Sequence, residues 1–470
     1  MELIVVAIGL AAAAWVGVLF VRGGLVAGCL AVLAGGICLG HPWFHLDLGP
    51  VPLTTDRVLW VALVVQYVAW RRLGRTDPKP WRVADVALLA FLGVLVASTF
   101  AHDWRARGLQ PVARLVFFYL MPLGLYWVAR QAELTERSVR AVLAVLVALG
   151  IYLATTAIAE VASWDAMVFP RYIASPEHPE FLGRARGPLL NPMGNGVLLG
   201  TCLAAVLVGW PRCNRLGKLV VVALAALMAA GLYCTLTRSV WLGGALGLLV
   251  VVTLPATKAW RAAVFAGAGL VALLVVGTQW DRLMAFERDR GLSARETADS
   301  VELRPMLAEI AWRMFRDRPI FGCGFGQYLE ENRNYLADRS SERPLEKARP
   351  YVQHNLVLSL LTETGLVGAA LFALVLVCWI RQAWTLWRTR EAPPWARQFA
   401  LVFLALVANY GVNGMFHDMS LVPMVHAALF FAAGLNAGVS AHAGRSRSGW
   451  NDRPAVDLDR PEVYRIGAGA

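Results

Sequence analysis

Apolar runs of roughly 17 to 25 residues, each the length of helix that crosses a bilayer core of about 30 Å, recur along nearly the whole chain with short polar segments between them. The pattern predicts thirteen spans, near residues 3–21, 24–40, 57–70, 83–100, 112–129, 139–160, 191–210, 218–236, 239–255, 262–280, 355–380, 398–414 and 420–438. Apolar and polar residues do not alternate within the runs, so a membrane barrel is excluded. Pro111 and Pro122 are expected to bracket or kink the fifth run, because proline removes a helical donor and crowds the preceding turn. Trp43, Trp70, Trp81, Trp104, Trp164, Trp210, Trp260 and Trp280 stand near run ends, as an interfacial belt requires. The first run follows Met1-Glu2 with no Lys or Arg before it. It lacks the basic start of a signal peptide and is expected to be retained.

One long polar interruption, residues 281–353, breaks the rhythm. After Pro305, residues Met306, Leu307, Ile310, Ala311 and Met314 fall at helical spacing; residues 305–316 are therefore predicted to form an amphipathic helix over the membrane mouth. The run Gly322-Cys323-Gly324-Phe325-Gly326 reads as a tight turn. No buried strand precedes it and no suitably spaced helix follows, so it does not indicate a nucleotide site. The expected organisation is N-terminal helices over 1–160, a second helical group over 161–280, the long water-facing loop over 281–353, C-terminal helices over 354–438, and a disordered cytoplasmic tail over 439–470. The fold class is all-α and polytopic, with about 12–13 transmembrane helices.

Composition agrees: 58% of the 470 residues are hydrophobic and only 16% charged, too apolar for a soluble multidomain protein. The net charge of +12 does not point to nucleic acid, since the basic residues lie in short loops rather than along one face. Their distribution orients the chain. One set of alternate loops holds Arg22, Arg71, Arg72, Arg75, Lys79, Arg82, Arg130, Arg137, Arg140, Arg212, Arg215, Lys218, Lys258, Arg261, Arg381, Arg388, Arg390 and Arg397. The other has only Arg105, Arg107, Arg114, Arg171, Arg184, Arg186 and Arg238. Retention of basic loops in the cytoplasm puts the long loop and the N-terminus outside. The seven cysteines show neither a disulfide framework nor zinc spacing.

On that outer side stand Arg184, Arg186 and Asn191 before the seventh span, Arg238 between the eighth and ninth, His354-Asn355 at the start of the eleventh, and His417-Asp418 between the last two. Arg238 lies inside LYCTLTRSVWLGGALGLLV. An arginine placed there costs about 2.5–3.5 kcal/mol on insertion scales, so it is expected to face a cavity or an anion. Guanidinium forks match phosphate oxygens in pairs, and two arginines on loops flanking one pair of spans could hold a lipid diphosphate. Arg184 reads as a solvated neighbour. Imidazole titrates near neutrality, which makes His354 a candidate for proton or hydrogen-bond chemistry. Glu363, nine residues further on, falls on the opposite helical face and about 13 Å deeper; it is expected to hydrogen-bond neighbouring helices rather than His354. No carboxylate pair or His/Asp/Glu cluster has metal spacing, so neither metal nor cofactor is expected.

Three stretches carry a resemblance: Arg186-Gly187-Pro188-Leu189-Leu190-Asn191-Pro192; Thr237-Arg238-Ser239-Val240-Trp241; and Arg318-Pro319-Ile320-Phe321-Gly322-Cys323-Gly324-Phe325-Gly326 leading to His354-Asn355 and Glu363-Thr364-Gly365-Leu366-Val367-Gly368. Over roughly residues 185–375 the chain resembles the O-antigen ligase and polymerase superfamily of bacterial envelope polysaccharide enzymes. The resemblance implies a multi-span glycosyltransferase of the inner membrane, taking a glycan from undecaprenyl diphosphate and joining it to an acceptor hydroxyl on the periplasmic side, among membrane lipids. It implies no nucleotide sugar and no metal. Arg186 and Arg238 would bind the diphosphate and stabilise its leaving charge, and His354 would position or deprotonate the acceptor hydroxyl. Arg184, Asn191 and Asn355 are the implied substrate neighbours. Met193-Gly194-Asn195 departs from what often follows Asn-Pro in relatives. The acceptor would be a lipid A core sugar for a ligase or another glycan repeat for a polymerase. A protein O-glycosyltransferase and a polysaccharide-lipid transporter are the further alternatives; a transporter should show inverted repeats or mid-membrane charges, and neither is visible in the sequence.

Overall fold

Every predicted run from residue 24 onward is a helix. The computed structural model describes residues 17–18, 20, 22–48, 51–284, 294–337 and 343–445; most of the first predicted span lies outside them. In chain order the long helices are α1 (Gly24–Cys38), α2 (Thr55–Arg72), α3 (Val83–Ala101), α4 (Pro111–Gln131), α5 (Glu136–Val161), α6 (Pro192–Leu207), α7 (Arg215–Cys234), α8 (Arg238–Thr253), α9 (Lys258–Met284), α10 (Ala294–Asp317), α11 (Leu356–Arg388), α12 (Pro394–Gly414) and α13 (Pro423–Arg445). Among the described residues, eight helices are long and apolar enough to cross a membrane, and α1 and α8 are shorter apolar helices. The protein is an all-α polytopic membrane protein. A two-stranded antiparallel ribbon, His45–Leu48 with Val51–Thr54, joins α1 to α2.

The interior helices are α6, α12 and α13: 83%, 72% and 83% of their apolar windows are buried, against 22% for α7. Helix α6 packs on α5, α7, α8 and α12, while α13 packs on α4 and α11 on α3. Helix α13 continues to Arg445, beyond the expected end of its run at 438. Val439 and Ala441 are buried in its last turns; residues 446–470 lie outside the described part.

Helix α4 shows how the sequence accommodates a proline inside a membrane helix. Pro122 offers no N–H to the carbonyl four residues earlier, that of Phe118. The turn there widens to a π-turn over Val116–Leu120, and His426 Nδ1 on α13 donates to the Phe118 carbonyl at 3.1 Å. The carbonyl fixes the tautomer, so His426 Nε2 accepts the Tyr410 hydroxyl at 2.6 Å. The helix thus runs on without a break from Pro111 to Gln131, carrying one arginine near each end.

The two ends of the bundle gather the two sets of loops that the sequence separates. At one end Lys79 Nζ donates to Ala132 O, Arg212 to Gln398, and Arg397 to the Trp387 carbonyl. At the other, Ala185 bonds to Cys234, Asn355 to Met415, Ser239 to His417, and Gln327 to Asp103.

Candidate functional site

The predicted amphipathic helix exists and is longer than expected, Ala294–Asp317, with Met306, Leu307, Ile310, Ala311 and Met314 all buried. Together with Cys323, Tyr328, Leu336, Leu345 and Ala348 they form the core of a small subdomain at the His354 end.

Its exit loop, Pro319–Gly326, locks onto α11. That helix is interrupted at Gly365, whose φ of 63° and ψ of −162° are not helical. The interruption exposes backbone groups that must be bonded elsewhere in an apolar setting. The loop supplies the partners: Cys323 N to Thr362 O at 2.8 Å, Gly324 N to Glu363 O at 3.1 Å, Leu366 N to Pro319 O at 2.8 Å and Val367 N to Ile320 O at 3.2 Å. Backbone lies so close that a Cβ on Gly322 would sit 2.5 Å from the Glu363 carbonyl carbon, and one on Gly365 would collide with the Ile320 carbonyl. Both glycines also hold φ in the left-handed range, at 73° and 63°, which glycine alone adopts readily. The two most distinctive sequence stretches are therefore two halves of one joint.

This joint holds Glu363 against an arginine on α4. Arg114 Nη1 reaches both Glu363 oxygens, at 2.8 and 2.7 Å. Its Nη2 reaches Ser420 Oγ at 2.8 Å, Ser359 Oγ at 3.4 Å and Asp418 Oδ2 at 3.4 Å. The guanidinium also lies over the Phe325 ring, 4.7 Å from its centre. Arg114 is 2% exposed and Glu363 1%. Sequence reasoning placed Glu363 correctly away from His354 and against a neighbouring helix, but did not single out Arg114. The available signal was the one applied to Arg238: an arginine within an apolar run, here PVARLVFFYL, is functional or paired by default.

His354 precedes α11 with a left-handed φ of 48°. The next residue, Asn355, caps the helix by accepting Leu358 N at 3.0 Å and ties it to the α12–α13 turn by donating to Met415 O at 2.8 Å. That turn carries His417 and Asp418. Burial, and then Arg304 on α10, push the His354 imidazole below its usual pKa, while Asp418 pulls it upward.

Arg238 opens α8 and is half-buried. Beside it, Ser239 Oγ lies 3.2 Å from His417 Nε2. The turn before it is bound by Arg184, whose Nε donates to Thr235 O at 3.3 Å and whose Nη2 donates to Thr237 Oγ1 at 2.5 Å. Arg184 is 6% exposed, so it is a buried link between two loops and not a solvated neighbour. Arg186 is fully buried. Its Nε and Nη2 donate to the Ile173 carbonyl at 3.1 and 2.5 Å, its Nη2 also reaches Ser175 O, and its Nη1 donates to the carbonyls of Glu180, at 2.6 Å, and His178. Glu160 lies 3.4 Å from Nε. All three nitrogens of Arg186 are thus engaged with its own loop and α5, which fixes the segment carrying Arg184. Asn191 caps α6, accepting Gly194 N at 3.0 Å.

The structure brings Arg184, Arg238, His354, Asn355, His417 and Asp418 to one end of a multi-pass helical bundle, with Arg186 and Asn191 building the loop beside them. Residues 223–373 match the family model described as O-Antigen ligase. The match takes in Arg238, both halves of the joint and His354, and makes that part of the chain similar to the family. A search of curated proteins finds no match to the chain.

Proposed function

We propose that the protein transfers a glycan from undecaprenyl diphosphate to an acceptor hydroxyl at the His354 end of the bundle, without a metal, and that this end faces the periplasm from the inner membrane. The observation that carries the reading is that Arg238 and His354, far apart in sequence, are tied to the same turn: Arg238 through its neighbour Ser239 to His417, and His354 through Asn355 to Met415. In this reading Arg238 receives the diphosphate, where a fixed cation acts on the charge that grows as the glycosidic bond breaks. His354 takes the proton from the acceptor hydroxyl. Burial and Arg304 lower its pKa, which keeps it in the neutral, proton-accepting form at pH 7. Arg184 holds the Arg238 turn, and Arg186 acts one step further back by setting the loop that bears Arg184.

Purified protein in detergent, given an undecaprenyl diphosphate-linked oligosaccharide with core lipid or free glycan as competing acceptors, is expected to join donor to acceptor. Use of core lipid marks a ligase with a lipid A core sugar as acceptor; use of free glycan marks a polymerase. Arg238→Ala and His354→Ala are expected to abolish transfer while leaving the protein folded. Full activity in both variants refutes the site, and no transfer by the unaltered protein refutes the activity, leaving a polysaccharide-lipid transporter as the reading to test in vesicles.

A further inference from the structure

Among the described residues, the buried cluster behind the site sets one guanidinium against two carboxylates. Arg114 brings one positive charge, and Glu363 and Asp418 bring two negative ones. Glu363 takes the guanidinium at 2.8 and 2.7 Å with both oxygens, whereas Asp418 stands off at 3.4 Å. Asp418 is held instead by Ser420, whose backbone N and Oγ donate to its Oδ1 at 3.0 and 2.6 Å. Ser420 Oγ also lies 2.8 Å from Arg114. At 5% exposure Asp418 has little water to screen it, and keeping a carboxylate there that shares its cation with Glu363 costs stability. It sits beside His417, three residues from the Met415 carbonyl that receives Asn355.

We propose that Arg114, Glu363 and Asp418 are positioning residues for the transfer reaction, together maintaining a surplus negative charge behind His354 that steadies the imidazolium formed when His354 takes the acceptor proton. The inference rests on the transfer activity proposed above. In the step itself the acceptor O–H bond breaks, its proton goes to His354, and the oxygen forms the new bond to the sugar carbon. The bond to the diphosphate breaks, and the leaving group keeps the electron pair. His354 then returns the proton to water. Glu363 serves this arrangement from a distance by occupying Arg114, so that Arg114 does not neutralise Asp418. The groups acting on the His354 charge are Arg304 from α10, which opposes protonation, and Asp418 from the α12–α13 turn, which favours it; Asp418 is faced in turn by Arg114 and Tyr119 from α4, by Glu363 from α11, by Tyr410 from α12 and by His426 from α13.

The test is the pH profile of transfer from an undecaprenyl diphosphate-linked oligosaccharide by Glu363→Gln, Asp418→Asn and Ser420→Ala. Asp418→Asn removes the charge directly, and Glu363→Gln releases Arg114 to neutralise Asp418. Both should lower the rate about 10-fold or more and move the acid limb of the profile to lower pH by about half a unit, with little change in the KM for donor. Ser420→Ala, which keeps every charge but loosens Asp418 toward Arg114, should move it the same way by less, and it decides the matter should the two charge variants fail to fold. A purely structural role for Glu363 would change yield and thermal stability but not the position of the limb. Folded, active variants whose profiles superimpose on that of the unaltered protein overturn the inference. Absence of transfer by the unaltered protein instead removes the activity on which it rests.

Discussion

Helix α4 buries an arginine near each of its ends, Arg114 and Arg130, sixteen residues apart and so about 24 Å apart along the axis. They are built differently. Arg130 meets one carboxylate, Asp85 on α3, at 2.7 Å, and it also donates to the carbonyls of Lys79 and Pro80. Asp85 is completed by the Arg82 N–H at 2.7 Å and the Tyr126 hydroxyl at 2.6 Å. One cation meets one carboxylate, and the pair works as a rivet between helices. Arg114, equally buried, meets two carboxylates on two different segments and leaves the sum negative. The comparison teaches that joining helices needs no charge surplus, so the surplus at the other end calls for a separate explanation, and it stands at the end where His354, Arg238 and the glycine-bearing loop meet.

The comparison breaks most visibly under truncation. Arg114→Ala strands two buried carboxylates and should cost more than the roughly 3–5 kcal/mol expected for breaking one buried pair. Arg130→Ala, which strands one, should fall within that range; thermal unfolding in detergent, followed by tryptophan fluorescence, ranks the two. Paired apolar replacement sharpens the contrast. Arg130→Met with Asp85→Leu removes a closed pair and should change stability by no more than about 1–2 kcal/mol. Arg114→Met with Glu363→Leu leaves Asp418 buried without its cation and should remain destabilised by about 3 kcal/mol. Equal behaviour of the two double variants would mean that the ends are alike.

The glycine joint provides the next contrast. Gly365→Ala forces a side chain onto the Ile320 carbonyl and into a left-handed backbone, at a cost of about 1–3 kcal/mol. Because the joint holds Glu363, activity should fall further than stability. Glycines on α9, such as Gly267 and Gly269, have open space where a Cβ would go, and alanine there should leave both unchanged. An equal response at both places would deny the joint any special role.

Much of this was legible in the chain. Run length and polarity marked the long apolar helices from residue 24 onward, and the spacing of Met306, Leu307, Ile310, Ala311 and Met314 marked the face of α10 that is buried. The two glycine-containing stretches were recognisable as motifs, yet nothing in their spacing says that one completes the broken hydrogen bonding of the other; that depends on a non-local meeting. The same limit hid Arg114, whose partners lie 249 and 304 residues away. Arg184 and Arg186 were legible as arginines at the end of the bundle that carries His354, but burial and direction were not. A sequence shows a guanidinium; whether its five donors turn toward a ligand or toward the carbonyls of its own loop is settled by packing. The π-turn in α4 was half-visible in Pro122, while the histidine that completes it comes from the last helix.

The smallest effect tests electrostatics without touching the mount. Arg304 on α10 is one of the groups that hold the His354 imidazole down, after burial itself, and Asp418 opposes both. With its pKa below the usual value of about 6.5, His354 in the unaltered protein should lose its proton-accepting form only below that pH, so the acid limb of transfer should lie there. Arg304→Gln removes a repulsion of the protonated form, raises the His354 pKa, and should move the limb upward by a few tenths of a unit. Glu363→Gln and Asp418→Asn move it downward. Opposite shifts from opposite charges around one imidazole would be hard to obtain from general loosening of the fold, which has no sign. At the far end of the bundle, Arg140 pairs with Glu136 on the surface, and Arg140→Gln should leave the limb in place; movement there as large as that from Arg304→Gln would mean that the profile reports overall charge and not His354.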